Sequence, residues 1–361
     1  MDSPFPSWIT KTMIRGVKGF NLDAYLMALE GWRRGLTLTW YLDPSEETDM
    51  KIIGFNPLGK SFSLKNNETG KVHYFYRSRG DLVSNEAVDI VQDKYKTKQM
   101  LLEAGVPTPK GFKFNKEDSI KEVMDKFNRE NLSYPVVIKP ILGSLGKGVI
   151  TNIKNKEELL ESLKITFQND EYDKFLIEQH VSGEEYRLYV IDNKVVAATK
   201  REPVHVIGDG KSTIKELIHS KNELRKENPY LRNKLIEIDE DLLKYISKQN
   251  LTLDSIIEKD LKVRLKNKGN ITAGGEPVDV MESIPNKVID LAIQSVKAIP
   301  GLTHCGIDII TNDQEAFIIE MNATAGISIH LFPVKGTPQN VPEKIIDYYF
   351  PETISNKNAK T

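Results

Sequence analysis

The stretch YPVVIKPILGSLGKGVI, Tyr134 to Ile150, restricts the fold more than any other part of the chain. A β-branched apolar run meets Lys139 and Pro140, passes through a loop holding Gly143, Gly146 and Gly148, and then turns apolar again. A P-loop would require Ser or Thr after its lysine, but Lys147 is followed by Gly148. A second fragment, Gly210-Lys211-Ser212, ends like a P-loop but carries His205 where the first glycine must stand. The dinucleotide pattern G-x-G-x-x-G is also missing from the loop. With no helix following it, the loop reads as a hairpin flap between two strands, and its backbone N–H groups can fold over phosphates. Lys139, inside an apolar strand, must snorkel to water or meet an anion. The neighbouring glycines favour a phosphate.

Around this flap the apolar periodicity predicts an α+β chain of three lobes. In the first, residues 1–92, NLDAYLMALEGWRRG sets Leu22, Tyr25, Leu26, Leu29 and Trp32 at helical spacing between an Asn21 cap and a Gly35 stop. LTLTWYL, SFSL and HYFY read as its strands. VDIVQDKYKTKQMLLEAGVPTPKG reads as one helix ended by Gly105 and Pro107. The central lobe, residues 93–182, alternates helices KEDSIKEVMDKFNRE and KEELLESLKITF with strands YPVVIKP, GVITNI and KFLIEQHV. The third lobe, residues 183–361, begins with a hairpin, EYRLYVI and KVVAATKRE joined at Asp192-Asn193. A charged helical insert at 214–268 follows. The amphipathic helix NKVIDLAIQSVKAIPG and the strands HCGIDII and AFIIEMN come next, and NAKT is a loose tail.

Bulk charge and cysteine content narrow the function. Fifty Lys and Arg against 51 Asp and Glu give a net charge of -1, which argues against nucleic acid as the main partner. A single cysteine, Cys305, rules out an intrachain disulfide or a thiolate metal cluster. The sequence MDSPFPSWITKTMIRGVKGF holds no run of signal-peptide length, and no segment is long enough for a bilayer, so a cytoplasmic protein without a membrane partner is expected.

Three further constellations carry chemistry. Asp308 in GIDII and Glu320 in FIIEMN are carboxylates in apolar strands, which require pairing or a metal. Glu320 and Asn322 share a strand face, and a turn symmetric about Asp313 would set Asp308 opposite Ile318 on the same side. Hard oxygen ligands so placed suit Mg²⁺; a buried ion pair with a basic residue fits equally well. FLIEQHVSGEEYR places Glu178, Glu184 and Glu185 where they serve adenine and ribose or stand as solvated hairpin charges. Arg187 and Arg201, on the two hairpin arms, suit a carboxylate or phosphate through the bidentate fork, and one of them can be purely structural.

The order of these features resembles the ATP-grasp superfamily: Lys94 in QDKYKTK, Lys139 with the Gly143–Gly148 flap, Glu178 to Glu185, then Asp308, Glu320 and Asn322. Within it, REPVHVIGDGKSTIKELI, GNITAGGEPVDV and CGIDII…IIEMNATAGISIHLFP are similar to the grasp domain of cyanophycin synthetases and to the glutathione-synthesis half of bifunctional glutamate–cysteine ligase/glutathione synthetases. Both have a further domain for which 361 residues leave no room.

The resemblance implies ATP and Mg²⁺, with two ions, or Mn²⁺ in their place, on Asp308, Glu320 and Asn322. It implies phosphate contacts from Lys94, Lys139 and the flap residues Gly143, Ser144, Gly146, Lys147 and Gly148. Glu178, Gln179, His180 and Val181 would meet adenine and Glu185 ribose, while Arg201 and Arg187 would steady the transferring phosphoryl group. The reaction implied joins a small-molecule carboxylate to an amine through an acyl phosphate, with ADP released, in a protein that is a monomer or a homo-oligomer. A phosphotransferase and a non-catalytic nucleotide-binding module on the same fold are the alternatives.

Overall fold

The computed structural model describes residues 9–356 apart from 11, 44, 46, 53–57, 145, 267–270 and 313. The first eight residues, Leu145 of the flap, Asp313 and the NAKT tail, on all of which the sequence reading touched, lie outside the described residues.

The amphipathic helix α1 (Phe20–Arg33) is capped at Gly19, two residues ahead of the expected Asn21 cap. It buries Leu22, Leu26, Met27 and Ala28, while Trp32 at the edge of its stripe stays 45% exposed. It packs on an antiparallel sheet of β1 (Thr37–Tyr41), β2 (Ser61–Lys65), β3 (Val72–Tyr76) and β4 (Arg79–Gly80), in that order.

The segment expected as one helix is two, α2 (Asn85–Gln92) and α3 (Lys94–Glu103). Asp93 between them is extended, and its carboxylate accepts from the N–H groups of Tyr95 and Lys96. An Asp side chain that competes for backbone donors favours a cap over a helix interior, so the chain restarts there. Lys94 thereby becomes the first residue of a helix, with Lys98 one turn further along the same face.

The central lobe is a sheet in the order β5-β8-β6-β7, made of β5 (Gly111–Asn115), β6 (Val136–Pro140), β7 (Ile150–Ile153) and β8 (Lys174–Gln179). Helices α4 (Ile120–Arg129) and α5 (Lys156–Phe167) bury Val123, Phe127, Leu159 and Leu163 against Phe112, Phe114 and Phe175 of the sheet. Ser119 and Glu122 close a capping box on α4, and Asn155 caps α5. The flap joins β6 directly to β7, antiparallel, with no helix after the glycines.

The third lobe is a five-stranded antiparallel sheet. Its hairpin of β9 (Glu184–Ile191) and β10 (Lys194–Glu202) turns at Asp192 and Asn193, both at positive φ, a conformation these two residue types tolerate. The insert is only partly helical. Strands β11 (His205–Ile207) and β12 (Lys262–Arg264) pair with each other around α6 (Ile214–Glu227) and α7 (Glu240–Ser247), over a separate core that includes Val206, Ile218, Leu242 and Val263. Lys262 and Arg264 hid β12 within the expected helical insert, and β11 lies just ahead of that insert. Next come β13 (Glu276–Asp279), α8 (Asn286–Lys297), β14 (His304–Thr311), β15 (Ala316–Asn322), α9 (Ser328–Leu331) and α10 (Val341–Tyr349), and the main sheet runs β13-β10-β9-β14-β15.

The two faces of that sheet have different neighbours. Leu188, Val190, Ile307 and Ile309 point to α2, α3 and α8, so residues on both sides of position 92 share one core with the third lobe. Tyr189, Ile191 and Ala197 point the other way, into a core shared with α1 and α10. An ion-pair cluster joins those helices. Glu30, fully buried, accepts from Nε of Arg33 and Nε of Arg34 at 2.6 Å each, and Arg34 reaches Asp347 at 2.7 Å and the Glu343 carbonyl at 2.9 Å. Removing one partner from a buried pair strands a desolvated charge and costs about 3–5 kcal/mol. Glu30→Ala should therefore lower unfolding stability by about that amount with an unchanged denaturant slope in urea titration; a loss under about 1 kcal/mol would contradict this account of the α1–α10 junction.

Candidate active site

At its charged end the α1-side face of the main sheet places Glu185 and Arg187 on β9, Arg201 on β10 and Asp308 on β14, with Arg187 directly across from Asp308. Asp308 is 6% exposed. Arg187 grips it bidentately, through Nε to Oδ1 and through Nη2 to Oδ2 at 2.8 Å, and Arg201 Nη2 lies 2.9 Å from Oδ1. Arg201 Nη1 also bonds the Glu185 carboxylate. Burial alone would raise the Asp308 carboxyl; the two guanidinium groups outweigh it and hold it below the ordinary carboxylate range. The Arg201 guanidinium is raised instead, because Asp308 and Glu185 outweigh its burial.

The strands β14 and β15 do not pair symmetrically about Asp313. The register runs Asp308 to Glu320 and Ile309 to Ile318, leaving Ile319 as a bulge. Asp308 therefore faces Glu320 directly, not Ile318, and Asn322 stands across from Gly306. A bulge re-aims the side chains beyond it. Here it keeps Asp308, Glu320 and Asn322 on one face while Ile318 and Met321 stay in the core behind.

Glu320 opens onto the cleft between lobes, its side chain 30% exposed and 3.3 Å from Lys94 Nζ. Lys94 also donates to the Gly143 carbonyl at the root of the flap, at 2.6 Å. Opposite, on the central lobe, Lys139 bonds the carboxylate of Glu178, itself only 4% exposed. Lys98 Nζ lies 3.3 Å from the same carboxylate and donates to Thr108 Oγ1 at 3.0 Å. These four residues line one pocket together with Glu320 and Leu176. Burial lowers the Lys98 ammonium, with Glu178 opposing the shift. Lys98 is absent from the sequence-predicted set; its signal was the four-residue spacing from Lys94.

The other expected residues divide clearly. Gln179 bonds Ser133 at 2.9 Å, its N–H and that of His180 bond the carbonyls of Lys110 and Pro135, and Val181 continues past the end of β8. Ser144, Gly146, Lys147 and Gly148 are exposed, and backbone turns from Ser144 to Lys147 and from Gly146 to Val149 shape the flap. Glu185 belongs to the arginine cluster, and no contact among the described residues joins it to Glu178 or Lys139. Cys305 is buried, and burial pushes its thiol up to about 12, as expected of a packed cysteine. Gly111 lets β5 approach β8: a Cβ there would stand 2.3 Å from the Ile177 carbonyl and 2.6 Å from Glu178 Cβ.

Among the described residues no three His, Cys, Asp or Glu side chains surround one point. The candidate metal set is two carboxylates on paired strands and one amide oxygen, hard donors that suit a divalent cation keeping other positions for water and phosphate. At Asp308 such a cation must share the carboxylate with Arg187 and Arg201.

Two sheets facing each other across a lysine-lined cleft, one bearing a glycine flap and the other paired carboxylates, are the architecture of an ATP-grasp protein. Residues 91–214 match the RimK-like ATP-grasp domain, and this part of the chain belongs to the ATP-grasp superfamily. It is 34% identical to cyanophycin synthetase of Crocosphaera subtropica over 274 residues, 73% of this chain and 31% of that one. It is 35% identical to the glutathione biosynthesis bifunctional protein of Clostridium perfringens over 275 residues, 72% of this chain and 34% of the relative. The chain thus spans about a third of the length of the curated relatives it matches. The crystal structure of a bifunctional glutathione synthetase from Pasteurella multocida shares the fold with a TM-score of 0.66 at 24% identity, over 92% of this chain and 44% of that one. Among the described residues no helix is long and apolar enough to cross a membrane.

Lys98→Met keeps an apolar stem but leaves Glu178 with Lys139 alone. A charge-assisted bond in a buried site is worth about 1.5–3 kcal/mol, so ATP affinity, followed with a fluorescent nucleotide, should drop by about tenfold or more. An unchanged affinity would remove Lys98 from the site.

Proposed function

We propose that this chain is an ATP-dependent carboxylate–amine ligase that forms an amide bond through an acyl phosphate and releases ADP, acting on amino-acid, peptide or related small molecules in the cytoplasm. The observation that carries the reading is the convergence of Asp308, Glu320 and Asn322 with Arg187 and Arg201 on one sheet face, across the cleft from Lys94, Lys98 and Lys139. One matched relative is named a synthetase and the other a glutathione biosynthesis protein, which supports the same class.

In this reading Lys94 and Lys139 hold the α- and β-phosphates and leave their present partners, Glu320 and Glu178, to do so. Freed from Lys139, Glu178 accepts the adenine amino group, and the backbone of Gln179, His180 and Val181 meets the ring. Glu185 turns toward ribose when Arg201 shifts its fork to anionic oxygen. The N–H groups at Gly143, Ser144, Gly146, Lys147 and Gly148 close over the γ-phosphate and exclude the water that would hydrolyse the intermediate. Two Mg²⁺ ions, or Mn²⁺ in their place, would be held by Asp308, Glu320 and Asn322 and would neutralise the phosphate charge.

An acid oxygen attacks the γ-phosphorus as ADP leaves. The amine then attacks the acyl carbon, phosphate departs with that oxygen, and the amine gives up a proton. Arg187 and Arg201 supply fixed positive charge to both steps, so the protein contributes position and preorganised electrostatics.

A screen of acid and amine pairs, scored by ADP release and product mass, tests this directly. ADP should appear only when both partners are present, and Glu320→Ala should cut turnover at least about 100-fold. A stable phosphorylated acid formed without amine would instead make the chain a phosphotransferase. Unchanged turnover in Glu320→Ala would remove the carboxylate from the machinery.

A further inference from the structure

Beyond the nucleotide cleft, one loop brings an unmatched cation to the edge of the arginine cluster. Tyr230 and Lys234 lie between α6 and α7, on a stretch fixed at both ends. The Asn228 side chain caps the N–H groups of Tyr230 and Leu231, at 2.9 and 3.2 Å, and donates to the Phe332 carbonyl at 3.0 Å. Arg225, buried, donates to the Lys234 carbonyl at 2.9 and 2.6 Å and to the Gly274 carbonyl at 2.9 Å. Asn222 exchanges two bonds with the backbone of Ile236, at 3.0 and 2.8 Å. The Lys234 side chain therefore leaves a backbone that is held in place.

Its ammonium sits over the Tyr230 ring, 3.1 Å from the centroid. Among the described residues no carboxylate lies within ion-pair distance of it. Three nearby cations are matched by carboxylates: Arg187 and Arg201 by Asp308 and Glu185, and Arg77 by Asp23 at 3.0 Å, while Arg225 is spent on backbone carbonyls. Arg201, Arg187, Asp23 and Asp308 all act electrostatically on the Tyr230 hydroxyl, which places the ring at the junction of the arginine cluster and the first lobe. Burial takes the Lys234 ammonium down to about 7; Asp23 opposes the shift, and Arg225 and Arg201 add to it. Nε of Arg201 is also buried without a hydrogen-bond partner. Holding a partly buried lysine beside other cations, with no anion of its own, is costly unless a ligand supplies the anion.

We propose that Lys234, seated on Tyr230, anchors the non-reacting α-carboxylate of an amino-acid substrate, so that the reacting end lies at Arg187, Arg201 and Asp308. The proposal rests on the ligase reading for the word substrate, but the binding it describes is separable from turnover. Lys234 is then a specificity-determining residue: it selects a substrate with a free carboxylate and does not touch the reacting atoms.

The test is calorimetric titration of the wild-type chain, K234M and K234R with each common amino acid as free acid and as α-amide, in the presence of Mg²⁺ and a non-hydrolysable ATP analogue. At least one amino acid should bind the wild type about 10- to 100-fold more tightly as the acid than as the amide, the range of one charge-assisted bond. That preference should collapse in K234M and persist in K234R, while affinity for the nucleotide analogue, which also reports folding, stays within about twofold.

Absence of an acid preference in the wild type, or one undiminished in K234M, overturns the proposal. So does a K234M effect confined to the nucleotide, which would assign the lysine to phosphate. An acid preference that depends on Lys234 without any amide product in the ATP assay would leave the subsite standing and sink the ligase reading. Product formed with unchanged KM for both substrates in K234M would do the reverse.

Discussion

The structure depends first on a buried carboxylate that two arginines keep ionised. Asp308 sits between Ile307 and Ile309 in a buried strand, where an unpaired charge is untenable. The bidentate fork of Arg187 and the second fork of Arg201 remove that difficulty and fix the lateral order of β10, β9 and β14 at the charged end of the sheet. The remaining geometry follows from it. Arg201 draws in Glu185, and the bulge at Ile319 brings Glu320 across from Asp308. Gly306, opposite Asn322, has no room for a side chain, because a Cβ there would stand 2.3 Å from Ala325.

Across the cleft the same logic governs the lysines. Lys139 and Lys98 share Glu178, while Lys94 divides itself between Glu320 and the flap carbonyl of Gly143. Three lysines thus share two glutamates in the proposed nucleotide site, and in that reading ligand binding is an exchange of partners. Such exchange lets a site rich in lysine and glutamate exist without large unpaired charge, because each ion released by one partner is taken up by another. It also couples the lobes, since Lys94 on α3 touches a carboxylate of the main sheet and the base of the flap on the central one.

Much of this was legible in the sequence wherever period and punctuation agreed. The flap without a following helix, the Asp192-Asn193 hairpin, and the strands carrying Asp308 and Glu320 all have strong local signals, and the ordered set of motifs identified the superfamily. Other features depend on competition that periodicity does not register. Asp93 breaks a helical pattern through its side chain. One extra residue in β15 changes which residue Asp308 faces. The short strand β12 carries two charges in three residues and read as helix, and β5 passed unmarked beside the helix after it. The candidate metal residues left two readings open. In the structure both carboxylates are in ion pairs with basic residues, and the oxygen donors that suit a cation are the same atoms.

The central claim is that the arginine–carboxylate face serves acyl-phosphate chemistry, and isotope transfer tests it most directly. An acid substrate labelled with heavy oxygen in its carboxylate is turned over with ATP and amine, and the released phosphate is analysed by mass. The account requires one labelled oxygen to move from the acid into phosphate in each turnover. Amide formed with unlabelled phosphate would contradict it.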